Sequence, residues 1–330
     1  MAAAVSLVRV VRSGLEESVH LGHVAVCDAG GRLVAWAGDP TRTVFARSSL
    51  KPVQTAVSLK AIDEPLPDAE VAVMCASHNG EPVHVGVVRR VLLRAGLSPA
   101  ALLCPPARPL DPEAAGRVAH PHRELHDCSG KHAGMLLACV RAGYDVATYV
   151  RPKHPLQKRI HRAVLRVSGL EEVVVGADGC GVPVFGMPLA SLATVFARLS
   201  RPESLGELGE QVDRCVEAML AEPYLVGGRE TTDTAVMSAT GDVVSKVGAE
   251  GLECAAVLSS GLGIAVKVAD GGDRASGPAL IRALESIGAL AEDHLQELAR
   301  FARPAVTGGG RSVGELRADF DLRGRPSSLT

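Results

Sequence analysis

The chain alternates short apolar runs with longer segments of helical spacing. Apolar runs that end at glycine, proline or aspartate predict buried strands. Such runs lie at residues 5–11, 23–29, 32–38, 71–75, 173–176, 184–188, 243–247 and 264–268. Segments with apolar residues three and four positions apart predict helices. They lie at residues 52–62, 81–95, 131–141, 154–167, 191–199, 204–221 and 273–289.

The order of these elements predicts the α+β class, because strands and helices do not alternate with the regular period of βαβ units. Residues 102–124, rich in proline, histidine and charge, are predicted to be irregular, and the glycine-rich residues 306–312 to form a late loop before a short tail. A length of 330 residues allows one large domain or two closely joined ones. No repeat or linker is apparent, and a single domain over residues 1–330 is predicted.

Composition limits the partners. Apolar residues make up 47% and aromatic residues 3% of the chain, so the core is aliphatic and a stacking platform for single-stranded nucleic acid is not expected. The formal net charge is -2 without a long basic run, which argues against nucleic acid and acidic membranes as partners. No charge-free apolar stretch reaches about 18 residues, so no membrane span is expected. The eight cysteines are scattered, which favours a reducing cytoplasm.

Residues 48–51, SSLK, stand between a predicted strand and a predicted helix with Pro52 in its first turn. The i, i+3 spacing puts Ser48 and Lys51 on one face of that turn. A serine hydroxyl becomes a nucleophile when a base takes its proton, and a neutral lysine amine is that base in serine–lysine hydrolases. The alternative is a helix-capping Ser48 beside a solvated Lys51.

Lysine usage favours chemistry at this motif. The chain has seven lysines against 28 arginines. An amine can lose its proton at accessible pH and can bind a metal, whereas a guanidinium can do neither. Four lysines stand beside small, apolar or glycine-rich segments: Lys51, Lys131, Lys246 and Lys267. Lys246 and Lys267 each lie on a predicted strand before a glycine turn, as in the third element of serine–lysine hydrolases, although one of them can be an edge residue facing water.

Two of the cysteines lie in tight turns rather than in apolar runs. Cys128 and Lys131 belong to CSGKHAG, and Cys180 belongs to GADGCGVPVF with Asp178 two residues before it. Two thiolates and one further donor suit Zn²⁺ with water in the fourth position. There is no C-x-x-C pair, and two buried free thiols are the alternative. Asp178 can bind a substrate amine or cap a turn.

Three other polar residues are candidates for the site. Ser77, in ASHNGEP, can relay a proton between Lys51 and a leaving amine. The alternative is that Ser77 and Asn79 form a turn and cap the next helix. Arg229 lies in a polar loop and can meet a substrate carboxylate, although a solvated loop explains it equally well.

Six ordered motifs together resemble the asparaginase II family, the rhizobial-type or class 3 L-asparaginases. The resemblance runs from about residue 5 to about residue 289. The motifs are SSLKPVQ at 48–54, ASHNGEP at 76–82, CSGKHAG at 128–134, GADGCGVPVF at 176–185, KVGAEG at 246–251 and GIAVKVADGGDRA at 263–275. The resemblance implies a fold similar to serine β-lactamases, penicillin-binding proteins and serine-dependent glutaminases. Such a fold has an antiparallel sheet flanked by helices and a helical subdomain.

The resemblance also implies the roles of particular residues. Ser48 is expected to be the nucleophile, Lys51 its base and Ser77 a close participant. The GAEG context favours Lys246 over Lys267 as the distal lysine. Asp178 is a further close participant, and the resemblance implies one Zn²⁺ on Cys128, Lys131 and Cys180. Together with the residue patterns above, this predicts Asp178, Asn79, Arg229 and Lys267 as the substrate-binding residues.

The function expected from these features is hydrolysis of L-asparagine to L-aspartate and ammonia by a cytoplasmic homodimer. One rival is another serine–lysine amidohydrolase, either a glutaminase or a peptidase acting on β-lactams. The other rival is a non-catalytic zinc-binding protein of the same fold. The presence of Ser48, Lys51 and Ser77 argues against this second rival.

Overall fold

A computed structural model describes residues 3–324 of the chain, which divide into two compact units. The sheet unit comprises residues 3–49, 186–201 and 235–324. The helical unit comprises residues 50–185 and 202–234. The single domain predicted over residues 1–330 includes both units, and its residues 1–2 and 325–330 lie outside the described part. It stays a prediction.

The sheet unit is built on a large antiparallel sheet. The strands of the chain are β1 Val5–Arg12, β2 Leu15–Asp28, β3 Leu33–Ala37, β4 Thr43–Phe45, β5 Val174–Ala177, β6 Pro183–Pro188, β7 Val243–Gly248, β8 Leu252–Val257, β9 Leu262–Val268, β10 Ala305–Gly308 and β11 Arg311–Ala318. Eight strands pair in the order β10-β11-β1-β2-β9-β8-β7, with β3 joined to β2. The strands predicted near residues 5–11 and 23–29 are the adjacent strands β1 and β2.

Helices make up most of the remaining regular structure. They are α1 Lys51–Ile62, α2 Asp68–Cys75, α3 Pro82–Arg94, α4 Pro112–Gly116, α5 Ser129–Ala142, α6 Pro155–Ser168, α7 Leu189–Leu199, α8 Gly209–Ala221, α9 Pro223–Val226, α10 Thr232–Thr240, α11 Asp273–Ser286, α12 Glu292–Glu297 and α13 Ala299–Ala302. No helix among residues 3–324 is long and apolar enough to cross a membrane.

The strand β9 has a helix on each face. An added Cβ at Gly263 would lie 2.0 Å from the carbonyl oxygen of Ala193, so this face of β9 touches the backbone of α7 and requires glycine. The next residue, Ile264, points to the opposite face. It belongs there to an apolar cluster that includes Ala279 of α11. The sheet is therefore flanked by helices, as predicted.

The helix α5 forms the centre of the helical unit. Its side chains from Ser129 to Cys139 are all buried. An added Cβ at Gly130 would lie 2.0 Å from the carbonyl oxygen of Val73, so α5 and α2 meet backbone to backbone. Gly143 ends α5 in the left-handed conformation, with φ of 67°, as the sequence predicts. The close contact holds the start of α5 in place.

Several local predictions are wrong. Residues 71–75 are the second half of α2 rather than a strand. Every side chain from Glu70 to Cys75 is buried, so the run shows no face from which its period can be recognised. Residues 306–312 are not a loop but part of the β10–β11 hairpin, which joins the sheet beside β1. The helix predicted over 204–221 is interrupted at Gly206, whose φ is 56°, and α8 begins only at Gly209.

The predicted fold class is confirmed. The sheet unit has an antiparallel sheet with helices on both faces, and the helical unit supplies the predicted helical subdomain. The sequence analysis did not predict β8 or α10. The strand β8 is buried on both faces, so its alternation does not appear in the sequence.

Candidate active site

Lys51 is the first residue of α1, and its side chain is fully buried. Its Nζ lies 2.6 Å from the carbonyl oxygen of Ala76, 2.9 Å from Oγ of Ser77 and 3.4 Å from the carbonyl oxygen of Asp127. Nζ donates to all three oxygens, so the amine is held directly against the hydroxyl of Ser77.

Ser77 is held in place by the chain around it. It directly follows the last turn of α2, and its N–H donates to the carbonyl oxygen of Val226 at 3.0 Å. Two residues later, the N–H of Asn79 donates to the carbonyl oxygen of Gly227 at 2.9 Å, and Nδ2 of Asn79 donates to the carbonyl oxygen of Arg229 at 2.8 Å. Residues 77–79 therefore pair with residues 226–229, and Ser77 is fixed against Lys51.

Arg229 is surrounded by carboxylates. Its guanidinium lies 2.7 Å from Glu113, 3.7 Å from Asp111 and 3.8 Å from Glu81. Its N–H also donates to Oε1 of Glu81 at 3.0 Å. A substrate carboxylate at Arg229 would have to compete with these groups, and the substrate role of Arg229 stays a prediction.

Asp127 stands immediately before the CSGK segment, and the sequence analysis gave it no role. Its Oδ2 lies 3.8 Å from Nζ of Lys51, and its Oδ1 lies 2.7 Å from Nδ1 of His126. Burial disfavours the charged carboxylate, but Lys51 and His126 outweigh burial and hold the pKa of Asp127 well below its usual range. Burial likewise opposes charge on His126, but Asp127 and Cys128 raise its pKa to about 9. The sequence signal that was available is a carboxylate directly before the CSGK motif.

The predicted metal ligands lie together in the helical unit. Nζ of Lys131 is 3.2 Å from Sγ of Cys180, and the thiol of Cys128 is hydrogen-bonded to Cys180. Oδ2 of Asp178 lies 3.6 Å from the same sulfur. Cys128, Lys131 and Cys180 are all buried. Residues more than 40 positions apart in the sequence thus converge as the motifs predict.

The charges in this group are shared between sulfur and nitrogen. The hydrogen bond from Cys128, together with Lys131, lowers the pKa of Cys180 to about 6, although burial acts in the opposite direction. The same hydrogen bond and burial raise the pKa of Cys128. Burial disfavours the ammonium of Lys131, but Cys180 and Cys128 raise the pKa of Lys131. Cys180 is therefore the thiolate, and Lys131 is its counterion.

This donor set fits Zn²⁺. Tetrahedral zinc binds sulfur at about 2.3 Å and nitrogen at about 2.0 Å, so its ligands stand roughly 3.5 Å apart. The 3.2 Å between Lys131 and Cys180 is close to that spacing. Two soft sulfurs and an amine that can lose its proton are also suitable donors.

Two further observations concern this neighbourhood. Cys104 is buried and lies close enough to Cys128 and Cys180 for their charges to raise its pKa, in addition to the larger effect of its burial. The donor atoms of His126, Asp127 and Cys128 lie within 4.8 Å of one another and form an alternative donor set. Cys104, His126 and Asp127 could not be predicted as neighbours of this group, because none of them follows a metal-ligand spacing.

Ser48 and Lys246 belong to the sheet unit. Ser48 is 8% exposed and lies in a 3₁₀ turn, Arg47–Leu50, that leads directly into α1 and Lys51. Lys246 is fully buried on β7. An added Cβ at Gly248 would lie 3.2 Å from the carbonyl oxygen of Ala46, so the strand that carries Lys246 packs against the segment that precedes Ser48.

Lys267 lies on β9 in the sheet unit, directly across from His23 of β2. Its side chain is half-buried, and its Nζ donates to the carbonyl oxygens of Glu250 and of Val268, the latter at 2.8 Å. Burial lowers the pKa of Lys267. Lys246 and Lys267 are thus two buried or half-buried amines on different strands of one sheet.

A family model described as L-asparaginase II matches residues 8–318. The chain belongs to the L-asparaginase II family. Membership supports an amidohydrolase activity and a small-molecule amide as the substrate. A search of curated proteins finds no match.

The similarity of the chain to solved structures is weaker than its match to the family model. The chain is similar to Mglu in its native form, with 14% identity and a TM-score of 0.45 over 82% of this chain and 64% of that chain. It is similar to Mglu in its glutamate form, with 15% identity and a TM-score of 0.46 over 80% of this chain and 60% of that chain. A β-lactamase from Mycobacterium bovis has 17% identity and a TM-score of 0.44 over 85% and 94%. The chain spans less than two thirds of the Mglu chain.

Proposed function

We propose that this member of the L-asparaginase II family hydrolyses L-asparagine to L-aspartate and ammonia through a serine ester. The observation that carries the proposal is the buried amine of Lys51. It lies 2.9 Å from Oγ of Ser77 and three residues after Ser48 in a continuous turn and helix. A buried amine that contacts a hydroxyl at the start of a helix matches what a serine–lysine hydrolase requires.

The first half-reaction uses Lys51 as the base. The neutral amine takes the proton of Ser48, and Oγ of Ser48 attacks the side-chain carbonyl carbon of asparagine. The backbone N–H of Ser48 is the proposed donor to the developing oxyanion. Lys51 then returns the proton, with Ser77 as the relay, to the departing nitrogen. The C–N bond breaks, ammonia leaves and a β-aspartyl ester remains on Ser48.

The second half-reaction reverses these proton transfers. Lys51 takes a proton from water, the resulting hydroxide attacks the ester carbon, and the proton returns to Oγ of Ser48 as aspartate leaves. Lys246 is the proposed distal amine, with Lys267 as the alternative. Cys128, Lys131 and Cys180 together are called the sulfur group. Asp178 lies beside it, where its carboxylate can hold the substrate ammonium. Asn79 and Arg229 remain candidates for polar contacts with the substrate.

Zn²⁺ is proposed as a structural or orienting ion on Cys128, Lys131 and Cys180. When bound, it would supply a fixed positive charge beside these ligands and could polarise a bound water. Ser48 and Lys51 already provide a nucleophile and a base, so no step requires the metal. Lys131 must lose a proton before it can bind, and we expect the affinity for zinc to fall as pH decreases.

Ammonia release from a panel of amides tests the proposed substrate. L-asparagine should be hydrolysed faster than L-glutamine, and nitrocefin should not be opened. A preference for L-glutamine would make the protein a glutaminase, and turnover of nitrocefin would make it an enzyme acting on β-lactams. If folded, zinc-loaded protein releases no ammonia from any amide, the non-catalytic alternative holds. Light scattering and cell fractionation test the proposed homodimer and its cytoplasmic location.

A further inference from the structure

A cavity of about 460 Å³ opens in the sheet unit, among residues that the proposed ester chemistry does not use except for Lys267. Its polar lining comes from β2, β9 and the turn between β3 and β4. The residues that matter for its chemistry are His23, Asp39, Arg42, Val44, Phe45 and Lys267. Lys51, Ser77 and the sulfur group belong to the helical unit instead.

Three hydrogen-bond donors face this cavity. Nδ1 of His23 accepts from the N–H of Asp39 at 2.9 Å, so the neutral ring carries its proton on Nε2. Burial, with Arg42 and Lys267, lowers the pKa of His23 although Asp39 acts in the opposite direction, and this favours the neutral ring. Lys267 gives two of its three N–H bonds to carbonyl oxygens, which leaves one for a ligand. Arg42 is exposed and adds a guanidinium.

The turn that carries Asp39 is built around the imidazole. Gly38 has φ of +68°, and an added Cβ would lie 2.5 Å from Nδ1 of His23. Oδ1 of Asp39 accepts from the N–H of Thr41 at 3.0 Å and from its hydroxyl at 2.7 Å. The carbonyl oxygen of Arg42 accepts from the N–H of Leu189 on α7 at 3.0 Å. The imidazole of His23 and the backbone of the turn that carries Arg42 are therefore positioned before any ligand arrives.

The charge of the lining favours one negative charge on the ligand. Lys267 and Arg42 are positive and Asp39 is negative, since the bonds from Thr41 lower the pKa of Asp39. Carboxylates outside the lining act on Lys267, namely Glu250, Asp270 and Asp273, but burial still prevails and lowers its pKa. An anion in the cavity would give the half-buried ammonium a charged hydrogen-bond acceptor in addition to its two carbonyl acceptors.

The rest of the lining is apolar. Phe45 is 45% exposed and Val44 is buried, and Ala3, Ala4 and Ala269 complete this side. We propose that the cavity binds a short-chain aliphatic monocarboxylate, with its carboxylate on His23, Arg42 and Lys267 and its chain against Val44 and Phe45. This assignment gives Lys267 to the cavity rather than to asparagine, and it does not depend on the proposed hydrolysis.

Calorimetric titration of the full chain with butyrate tests this site. The wild-type protein and Ser48→Ala should both bind with a Kd on the order of 1 mM. Arg42→Gln and Lys267→Met should each weaken binding about tenfold or more, because each removes a charge-assisted hydrogen bond. Arg42 is exposed, so its variant should remain folded, which circular dichroism checks. Lys60→Ala, a change at an exposed lysine of α1, is the matched control and should bind normally.

The same titration contains the results that would overturn the proposal. They are absence of saturation up to about 100 mM butyrate, or unchanged affinity in both cavity variants. Tighter binding of 4-aminobutyrate than of butyrate would contradict the aliphatic assignment, because Asp39 would then be holding an ammonium. Binding by Ser48→Ala in the absence of asparaginase activity separates failure of the proposed hydrolysis from failure of this site.

Discussion

The two units differ in what they bury. The core of the sheet unit is a continuous, mostly aliphatic cluster, and the described part of this unit buries only a few ionisable groups besides cysteines: His20, His23, Asp39, Lys246 and Glu253. The helical unit buries a longer series of ionisable side chains around α5: Lys51, Lys131, His78, His84, His132, Cys128 and Cys180. A buried polar group is costly unless it is paired, so the helical unit depends on particular partners where the sheet unit depends on packing.

Most of these partners can be named. Nε2 of His78 donates to Oγ of Ser129 at 3.0 Å, and Nδ1 of His132 is hydrogen-bonded to the hydroxyl of Tyr149 at 2.7 Å. Lys131 pairs with Cys180. Polar groups with such partners form fixed geometry, which catalysis and metal binding require. The sheet unit therefore serves mainly as a scaffold. Most side chains proposed for catalysis and metal binding lie in the helical unit.

The largest expected effect concerns the segment that contains Ser48 and Lys51. Ser48 is assigned to the sheet unit and Lys51 to the helical unit. Ser48→Ala and Lys51→Ala should each lower kcat/KM by about 10³–10⁴-fold, since nucleophile and base act as one device. The double variant should be little worse than either single variant. Steady-state ammonia release measures all three. Lys60→Ala, on the same helix, should stay within about twofold of wild type. Near-normal turnover in a folded Ser48→Ala protein would remove the serine mechanism.

The sulfur group gives the next largest effect. Cys180→Ala should lower bound zinc and raise KM by about 10–100-fold, with a smaller change in kcat, because the ion is proposed to hold loops rather than to react. Metal analysis and kinetics before and after chelation measure both quantities. Cys139→Ala changes a buried cysteine of α5 whose thiol has no proposed ligand role, and it should keep its zinc. Loss of kcat, restored by zinc at unchanged KM, would make the metal catalytic.

The sheet unit was the more predictable part of the fold. Its strands β1, β2, β7 and β9 could be found from short apolar runs that end at turns. The C-terminal hairpin could not, because its glycines at 308–310 resemble a loop until β1 supplies the pairing partner. In the helical unit, α2 was taken for a strand, because complete burial removes the polar face that reveals a helical period.

The candidate site was predictable where motifs carried it. Cys128, Lys131 and Cys180 come together although their motifs are far apart in sequence. Asp127 and Cys104 were missed, because their importance comes from which side chains the fold places beside them. The contact between Lys51 and Ser77 was expected, but the two carbonyl acceptors of Lys51 could not be predicted, because backbone groups carry no sequence signal.

Glycine substitutions test whether the sheet unit depends on packing. Gly263→Ala should lower the free energy of unfolding by about 2–4 kcal/mol, because the new Cβ would overlap the backbone of α7. Gly86→Ala, within α3, meets no atom within 4 Å and should raise that free energy by about 0.5–1 kcal/mol. Urea unfolding measures both. A Gly263→Ala protein as stable as wild type would mean that β9 and α7 can separate without cost.

The last effect concerns the buried histidines of the helical unit. Burial lowers the pKa values of His78, His84 and His132 below that of an unfolded histidine, which is about 6.5. A lowered pKa contributes stability above about pH 6.5 and loses it as pH falls, because the unfolded chain takes up the proton first. The free energy of unfolding should fall by roughly 1.4 kcal/mol per pH unit for each such proton between pH 6.5 and 5. His126, whose pKa is raised to about 9, is charged in the folded state throughout this range. It offsets part of the slope near pH 6.5 and none of it near pH 5, where the unfolded residue is protonated as well.

His84→Phe separates this contribution from other acid effects. His84 stacks between His78 and Tyr224, and phenylalanine keeps a ring in that stack while removing one titrating group. The slope of unfolding free energy against pH should therefore decrease by one proton, as measured by urea unfolding at several pH values. His120→Phe changes an exposed ring that is in water in both states, so it should leave the slope unchanged. An unchanged slope in His84→Phe would mean that the helical unit is protonated at His84 without unfolding. In that case the stability of the helical unit would not depend on a neutral His84, and the difference between the two units would not hold at this residue.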